Sequence, residues 1–336
     1  MALISVVMPA YNAEKYISVA IESVINQTFS DWELIIVDDC STDATYQIAY
    51  EYTLKENRIK LYKLERNTGY AYFPRKRAIE KSSSDWIVNL DADDYISNTD
   101  LEKLYNRVIE VQADIVLHRL VRVDVDGKVV CDDVCPAWSF DLTQVLTGKE
   151  ACMLTINSWT INGNGLFRKS IFEYIWSKYK EEFVGMNTDE LLTRLLFLNA
   201  RNVAFCDAEY YYRINPLSIS NCFSIKLFHV LKTNSQLKDI IVSCFGQNTN
   251  ESKLMELQIW NGLIYSSISY VYNINKILED DRKKIEEDIY QSWKRLNWSE
   301  LRYSLGVWKY LIFGTNYKLF MSLIILRKYA RKIKHL

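Results

Sequence analysis

Short apolar runs alternate with amphipathic helical patterns through the first 94 residues of this 336-residue chain. The apolar runs predict buried strands at residues 4–8, 34–37, 59–64 and 86–90. The patterns between them predict helices at residues 13–27, 43–56 and 73–81, the second with Ser41 or Thr42 as its N-cap. Short strands that alternate with helices are typical of a sheet covered on both faces. We therefore predict an α/β fold with a mixed, mostly parallel sheet flanked by helices.

The rest of the chain predicts a change of architecture. A strand is predicted at residues 114–125, with a turn at Asp126-Gly127, and an amphipathic helix at residues 187–198. Residues 203–213 have an extended pattern, and helical patterns continue from about residue 223 to the end. We therefore predict an α/β domain at residues 1–220 and a helical C-terminal region at residues 221–336.

Composition argues against several classes of protein. With 49% hydrophobic and 25% charged residues the chain is expected to fold, and a net charge of −1 gives no reason to expect a nucleic-acid partner. The seven cysteines form no CxxC pair and the three histidines are scattered, so neither a zinc site nor a disulfide framework is indicated. The N-terminus lacks the pattern of a signal peptide, and no apolar run reaches the ~18 residues of a membrane span. We expect a cytoplasmic protein.

Polar residues follow the predicted strands at their carboxyl ends, where sheets of this kind bind ligands. They are Pro9-Ala10-Tyr11-Asn12, Asp38-Asp39 and Asp91-Ala92-Asp93-Asp94. The three carboxylates of the last run repel one another, and a divalent cation such as Mn²⁺ or Mg²⁺ is the usual way to keep them ionised together. The alternative for both acidic runs is a solvated loop that caps the following helix.

Three stretches of the sequence, taken in order, resemble the family 2 glycosyltransferases, which adopt the GT-A fold. They are VVMPAYNAEKYISVAIESVINQTFSDWELIIVDDCSTDAT at residues 6–45, ERNTGYAYFPRKRAIEKSSSDWIVNLDADD at 65–94 and TDELLTRLLFLNARNVAFCDAEYYYRINPLSIS at 188–220. The first combines a P-x-Y-N opening, an S-x-x-x-Q-T helix end and a V-D-D-x-S-x-D strand end, which together are highly specific. The resemblance covers roughly the first 220 residues. It implies a GT-A, Rossmann-like domain that binds a nucleotide sugar, followed by a helical extension.

The resemblance also implies which residues hold the donor. The nucleotide would be bound by Pro9, Ala10, Tyr11, Asp38, Asp39, Asn67 and Gly69. The diphosphate, the ribose side and the edge of the sugar site would be bound by Arg75, Asp91, Ala92 and Asp94. Among the first set, the aspartates would bind the base or the ribose. In the second set, the arginine would lie near the diphosphate.

Two further residues would carry the chemistry. The resemblance implies that Asp93 holds the metal, Mn²⁺ or Mg²⁺, and that Asp189 is the general base. Family members commonly have Glu-Asp at the base position, whereas residues 188–190 read Thr-Asp-Glu here, which makes Glu190 a rival base. The family often has Arg-Asn after its glycine loop, whereas residues 75–77 read Arg-Lys-Arg, so the residue that contacts phosphate stays open.

These roles predict an inverting, metal-dependent glycosyltransferase. It would move a hexose or N-acetylhexosamine from a nucleotide diphosphate sugar, with UDP expected, to a saccharide acceptor. We expect a lipid-linked acceptor in surface-polysaccharide synthesis. One alternative is a sugar nucleotidyltransferase, which usually has a glycine-rich loop after its first strand that residues 9–12 lack. Another is a non-catalytic nucleotide-sugar-binding module, which would have lost Asp93 or Asp189.

The C-terminal tail predicts a basic amphipathic helix. From Met321 onward it has no acidic residue, and its cations are Arg327, Lys328, Arg331, Lys332 and Lys334. Its apolar residues at helical spacing are Leu323, Leu326, Tyr329, Ala330 and Ile333. Such a helix can lie on an anionic surface such as the inner face of the cytoplasmic membrane, can pack its apolar stripe in the core, or can form a dimer interface.

Overall fold

The computed structural model describes residues 2–131, 142–179, 187–214, 223–306 and 312–333. The chain clusters into two compact units. The first comprises residues 1–155, 159–183 and 192–216, and the second comprises residues 156–158, 184–191 and 217–336. The boundary predicted at residue 220 lies in a segment, 215–222, outside the described residues. That boundary stays a prediction.

The first unit is built on one sheet. Its strands are β1 (Ile4–Ala10), β2 (Trp32–Asp38), β3 (Ile59–Lys63), β4 (Trp86–Asn89), β5 (Tyr95–Ile96), β6 (Ile115–Val123), β7 (Val129–Cys131), β8 (Val145–Thr147), β9 (Gly165–Arg168) and β10 (Asn202–Arg213). The order is β3-β2-β1-β4-β9-β6-β10-β5, with β7 paired to β6 and β8 paired to β10. Strands β1 to β4 pair in parallel, as do β6 and β10, whereas β9 is antiparallel to both its neighbours. The predicted mixed, mostly parallel sheet is confirmed.

Helices connect the strands of this unit and continue beyond it. They are α1 (Ile17–Ile25), α2 (Thr45–Thr53), α3 (Tyr72–Lys81), α4 (Asp100–Val111), α5 (Gly148–Met153), α6 (Lys169–Lys178) and α7 (Thr188–Asn199). Every residue of β1 and β2 is buried, as expected of parallel strands covered on both faces. The buried positions of α1 include Ile17, Ala20, Ile21 and Val24, which is the apolar face that its sequence predicts.

The start of α2 differs from the prediction. Ser41 and Thr42 do not cap this helix, which begins at Thr45. Instead the Ser41 hydroxyl accepts the N–H of Asn12, and the Asn12 side chain accepts the N–H of Thr42. Asp43 supplies the local bond by accepting the Thr45 N–H at 3.0 Å. The N-cap prediction was wrong, because Ser41 and Thr42 form hydrogen bonds with Asn12 in the loop after β1.

Strand β9 was not predicted, and it has only four residues. It inserts between β4 and β6, and Gly165 lies opposite Leu117. A Cβ atom at Gly165 would lie 2.1 Å from the carbonyl oxygen of Val116, so only glycine allows this approach. The glycine therefore fixes where the antiparallel strand enters the sheet.

The second unit is helical among its described residues. Its long helices are α8 (His229–Phe245), α9 (Asn250–Asn273), α10 (Glu279–Lys294), α11 (Trp298–Leu305) and α12 (Tyr317–Ile333). Trp260 of α9 lies at the centre of an aromatic core, with its ring 5.7, 5.5 and 6.0 Å from those of Trp298, Phe313 and Phe320. Across the described ranges, no helix is long and apolar enough to cross a membrane.

Candidate functional site

The carboxyl ends of β1, β2 and β4 lie side by side and carry the predicted strand-end residues. Ala10 lies opposite Asp38 in the register of β1 and β2, and the Asp39 N–H donates to the Ala10 carbonyl at 2.8 Å. Pro9 and Ala10 are buried in the sheet, whereas Tyr11 is 49% exposed. Of Pro9, Ala10 and Tyr11, Tyr11 therefore has the largest surface available to a ligand.

The loop after β3 encloses Asp39. The Thr68 N–H donates to the two carboxylate oxygens of Asp39 at 2.9 and 3.1 Å, and the Thr68 hydroxyl lies 3.0 Å from each. Asn67 donates its amide N–H to the Asp39 carbonyl at 2.9 Å. Gly69 follows with φ of 76°, in the left-handed region that glycine adopts without strain. The structure thus brings Asp39, Asn67 and Gly69 together, with Thr68 between them.

The two aspartates at the end of β2 have different partners. Burial raises the pKa of Asp39, although hydrogen bonds from the loop after β3 favour its ionised form. Asp38 is fully buried. One of its carboxylate oxygens accepts the Ser41 N–H at 3.1 Å and lies 3.8 Å from Lys63 Nζ. Asp38 therefore braces the turn after β2, whereas Asp39 organises the loop beside it.

The acidic loop, residues 91–94, leaves the sheet directly after β4. The Asp91 side chain is 42% exposed, and one of its oxygens accepts a hydrogen bond from Arg75 Nη2 at 2.6 Å. Arg75 comes from α3, and its side chain is only 13% exposed. Ala92 is buried. The predicted diphosphate-contacting arginine is therefore brought against the acidic loop, where it offsets the charge of one carboxylate.

The other two carboxylates of the acidic loop are harder to ionise. Burial and the charge of Asp91 raise the pKa of Asp93 to about 6. Burial and the charges of Asp93 and Asp91 raise the pKa of Asp94 well above its ordinary value. Because like charges are crowded in a buried loop, added positive charge would favour the ionised forms.

Strand β10 holds the acidic loop through Tyr210 and Arg213, which we call the β10 clamp. The Tyr210 hydroxyl donates to one oxygen of Asp94 at 2.7 Å and accepts the Asp91 N–H at 3.2 Å. The Arg213 N–H donates to the other Asp94 oxygen at 2.8 Å, and its Nε donates to the Asp93 carbonyl at 2.9 Å. The clamp thus fixes both ends of the loop and uses both oxygens of Asp94.

The oxygen atoms of the acidic loop determine whether it suits a divalent cation. Since the β10 clamp occupies Asp94, the carboxylates of Asp91 and Asp93 are the ones suited to ligation. Among the described residues, no group of three or more Asp, Glu, His or Cys side chains is placed to hold a metal ion. Mg²⁺ commonly binds through one or two carboxylates and completes its shell with substrate phosphates and water. The loop therefore fits a cation that arrives with a diphosphate, not one caged by protein alone.

Comparison of the sequence with protein families gives a match that includes the strand ends, the loop after β3 and the acidic loop. Residues 5–175, which are 171 of the 336 residues, match the family model described as Glycosyl transferase family 2. The chain belongs to glycosyl transferase family 2. The family predicted from the three sequence stretches is confirmed.

Two relatives of this chain are named for activity on the same kind of polymer. Poly(ribitol-phosphate) beta-N-acetylglucosaminyltransferase TarS of Staphylococcus aureus strain Mu50 is 30% identical over 212 residues, which are 62% of this chain and 35% of TarS. Poly(ribitol-phosphate) beta-N-acetylglucosaminyltransferase TarP of S. aureus strain N315 is 28% identical over 230 residues, 67% of each chain. This chain therefore spans about a third of the length of TarS.

The family 2 fold of this chain is also similar to solved structures. The crystal structure of S. aureus TarS 1–349 in complex with UDP-GlcNAc has a TM-score of 0.65 at 21% identity, over 89% of this chain and 82% of that chain. The structure of the same TarS segment with UDP has a TM-score of 0.59 at 20% identity, over 91% and 92% of the two chains. These likenesses confirm the GT-A fold.

The predicted base of this family 2 chain, Asp189, lies in the first turn of α7. It belongs to residues 184–191, which cluster with the second unit. Asp189 is exposed, and its Oδ1 accepts the N–H of Glu190 at 2.9 Å. A helix N-terminus favours the ionised form of a carboxylate. Asp189 is therefore chemically suited to accept a proton, and its catalytic role stays a prediction, as does the rivalry of Glu190.

Three residues that organise this site, Thr68, Tyr210 and Arg213, were not among the predicted site residues. Thr68 could have been suspected, since it lies between Asn67 and Gly69, which the family resemblance had singled out. Tyr210 and Arg213 could be placed in an extended segment but not against the acidic loop. Their bonds to Asp94 join positions 116 and 119 residues apart, and no local pattern records such a contact.

Proposed function

We propose that this chain is an inverting, metal-dependent glycosyltransferase that moves a hexose or N-acetylhexosamine from a UDP-linked donor to a saccharide acceptor. The observation that carries the proposal is that Asp39 with the loop that encloses it, Arg75 and the acidic loop all lie at one edge of the sheet. This is the edge at which open α/β sheets bind ligands. The names of TarS and TarP and the UDP-GlcNAc complex of TarS point to the same class of donor.

The donor would lie across the ends of β1, β2 and β4. Tyr11, Asp39 and the loop with Asn67 and Gly69 would contact the uridine. The exposed oxygen atoms of Asp91 would face the ribose side, and the Arg75 guanidinium would offset the charge of the diphosphate. Asp94, held by the β10 clamp, would set the edge of the sugar site through the backbone of the acidic loop.

Asp93, with Asp91 beside it, would hold Mn²⁺ or Mg²⁺. When bound, such a cation neutralises the charge that develops on the leaving diphosphate. The crowding of carboxylates in the acidic loop supports this proposal, because a cation would offset the repulsion from Asp91 that, together with burial, raises the pKa of Asp93. Arg75 would remain close enough to Asp91 to orient its carboxylate.

Asp189 would accept the proton of the acceptor hydroxyl. The hydroxyl oxygen would then bond to the anomeric carbon as the bond from that carbon to the diphosphate oxygen breaks. A single displacement of this kind inverts the anomeric carbon, so a UDP-α-sugar would give a β-linkage. The beta designation in the names of TarS and TarP agrees with this outcome. We propose a lipid-linked saccharide of a cell-surface polysaccharide as the acceptor.

Titration calorimetry with UDP tests the donor and the metal. We expect UDP to bind in the presence of Mn²⁺ or Mg²⁺ at least about tenfold more tightly than in EDTA. The Asp93→Ala variant should lose this metal dependence, because its ligand oxygen is gone. The matched control is Asp31→Ala, which removes an exposed carboxylate just before β2, at the opposite end of that strand.

Two results would decide against parts of the proposal. If UDP, GDP and dTDP all fail to bind with metal present, the chain is not the proposed nucleotide-sugar enzyme. If UDP binds equally well with and without metal, the metal role of Asp93 is wrong while the donor class stands. Hydrolysis of a panel of nucleotide sugars would then identify the transferred sugar.

A further inference from the structure

Helix α12 has apolar side chains on two opposite sides. Phe320 and Ile324 are 0% and 4% exposed and form its inner side. Leu319, Ile325 and Leu326 are 44%, 41% and 60% exposed. We call these three the outer face of α12. The apolar stripe predicted from the sequence included Leu326, and the structure places this residue outside the core.

The inner side of α12 is what attaches it to the rest of the second unit. The Phe320 ring lies 6.0 Å from Trp260 of α9 and 6.2 Å from Phe313. Further along, Lys328 Nζ donates to the Val271 carbonyl at 2.7 Å. The inner side therefore attaches the helix to the second unit, and the outer face takes no part in this contact. Packing in the core does not explain why leucine and isoleucine occur on the outer face.

Helix α9 adds exposed aromatic side chains to the same unit. Tyr265 and Tyr272 are 57% and 42% exposed, and Lys328 of α12 lies 5.8 Å from the Tyr272 ring. Tyrosine suits a boundary between water and lipid because its ring is apolar and its hydroxyl is polar. Tyr272 therefore extends the exposed apolar surface beside α12.

The charge of this part of the chain selects the occupant. No acidic residue follows Glu300, and the cations after it are Arg302, Lys309, Lys318, Arg327, Lys328, Arg331, Lys332 and Lys334. On α12 itself, Lys318 is exposed and lies seven residues before Ile325, which places it on the same side of the helix as the outer face. A helix that exposes leucines and whose charged side chains are all cations matches a bilayer with anionic headgroups, because the leucines enter the acyl boundary while the cations stay at headgroup level.

We propose that the outer face of α12 lies on an anionic membrane surface, with the helix parallel to the membrane and Tyr272 at the boundary. Helix α12 does not span the bilayer, since it has only 17 residues and carries several cations. The contact needs neither nucleotide nor acceptor, so it is independent of the proposed sugar transfer. It would keep the enzyme at a lipid surface between reactions.

Sedimentation of the full chain with vesicles tests this proposal. Vesicles of phosphatidylcholine with about one third phosphatidylglycerol should bind the protein, and pure phosphatidylcholine vesicles should bind it much more weakly. Leu326→Ser should weaken binding at least about tenfold, because a fully inserted leucine side chain is worth roughly 1.5–3 kcal/mol. Lys318→Gln should weaken it about fivefold, because each cation near an anionic surface contributes about 1 kcal/mol.

Matched controls lie in the same unit. Leu278→Ser removes a leucine that is 75% exposed, just before α10, and Lys232→Gln removes an exposed cation of α8. Both should bind vesicles like the unmodified chain. All variants should keep the far-ultraviolet circular dichroism of the folded chain, and Lys318→Gln keeps the test valid should Leu326→Ser fail to fold.

Three outcomes would overturn the proposal. The first is no binding to the anionic vesicles. The second is equal binding by the outer-face and control variants. The third is a dimer in sedimentation velocity that Leu326→Ser dissociates, which would identify a second copy of this chain as the occupant of the outer face. Vesicle binding that follows the predicted order, together with failure to bind UDP, would uphold this proposal and reject the proposed function.

Discussion

Asp94 shows how one buried carboxylate can organise a site without being open to ligands. Its two oxygens accept hydrogen bonds from Tyr210 and from the backbone of Arg213, and only 2% of the residue is exposed. The Arg213 guanidinium is also engaged, since it donates to the carbonyls of Asp93 and Val125. At the residue scale, the acidic loop is therefore shaped by β10 before any donor arrives.

Removing the Tyr210 hydroxyl should loosen the acidic loop. Tyr210→Phe deprives Asp94 and the Asp91 N–H of a buried partner, which costs about 1–3 kcal/mol of unfolding free energy. If Tyr210 positions the loop, the metal concentration for half-maximal UDP binding should also rise, by about fivefold or more. Calorimetry with UDP at several Mn²⁺ concentrations measures this half-maximal metal concentration.

The adjacent tyrosine provides the comparison. Tyr211→Phe also removes one hydroxyl from β10, but that hydroxyl donates to Glu209 and not to the acidic loop. Its metal half-saturation should be unchanged. A lowered melting temperature in Tyr210→Phe with unchanged metal half-saturation would mean that Tyr210 stabilises the fold and does not position the loop.

The choice of base can be settled between two neighbouring residues. Asp189→Asn should lower the transfer rate by about 10²–10⁴-fold, because an amide cannot accept the acceptor proton. Glu190→Gln should reduce it far less. The measurement is kcat with saturating donor and acceptor. The reverse order of effects would assign the base to Glu190, and two small effects would leave neither residue as the base.

At the scale of elements, the edge of the sheet opposite the acidic loop is held by Asp114. This buried carboxylate lies just before β6. It accepts hydrogen bonds from Arg168 at the end of β9, at 3.0 Å, and from Arg201 before β10, at 2.6 and 2.9 Å. Three strand ends are thereby joined at one point. Strand β9 has only four residues, so these ion pairs add a side-chain anchor to a short strand.

The Asp114 contacts make the stability of the fold depend on pH. Burial alone would raise the pKa of Asp114, but the bonds from Arg201 and Arg168 outweigh it and lower the pKa to about 2. A lowered folded-state pKa means that the stabilisation is complete above the ordinary value of about 4 and is lost as the pH falls toward 2. Asp114→Asn should cost about 1.5–3 kcal/mol at neutral pH, because charged hydrogen bonds are lost.

Urea unfolding at several pH values measures this dependence. The difference in stability between the unmodified chain and Asp114→Asn should shrink as the pH falls from about 4 toward 2. Asp207→Asn is the control, because that side chain is 65% exposed and pairs only at the surface with Lys103. A difference that stays constant down to pH 2 would contradict the lowered pKa of Asp114.

At the scale of the whole molecule, the chain separates into an α/β unit and a helical unit, and the division is not purely sequential. Residues 156–158 and 184–191 cluster with the second unit although they are flanked by the first. Asp189 lies in the second of these two segments. A division made along the sequence assigns Asp189 to the first domain. Local patterns do not reveal which residues cluster with a unit formed by another part of the sequence.

Much of this protein could be predicted from its sequence. The strands of the parallel half, their polar ends and the face of α1 follow from apolar periodicity, because burial on one or both sides leaves a local pattern. The family followed from motifs whose residues are close in sequence. The predicted roles of Asp93 and Asp189 have the same origin, and they stay predictions.

Tertiary structure alone decided the features that depend on distant pairing. Three such features are strand β9, the β10 clamp and the hydrogen bonds between Asp39 and Thr68. Each joins segments that are far apart in sequence, and no local sequence pattern predicts their contact. The same is true of α12, where periodicity predicted an apolar stripe but only packing against Trp260 separated the inner side from the outer face. Periodicity reports that a residue is apolar, whereas the partner that covers it is fixed only when the whole chain has folded.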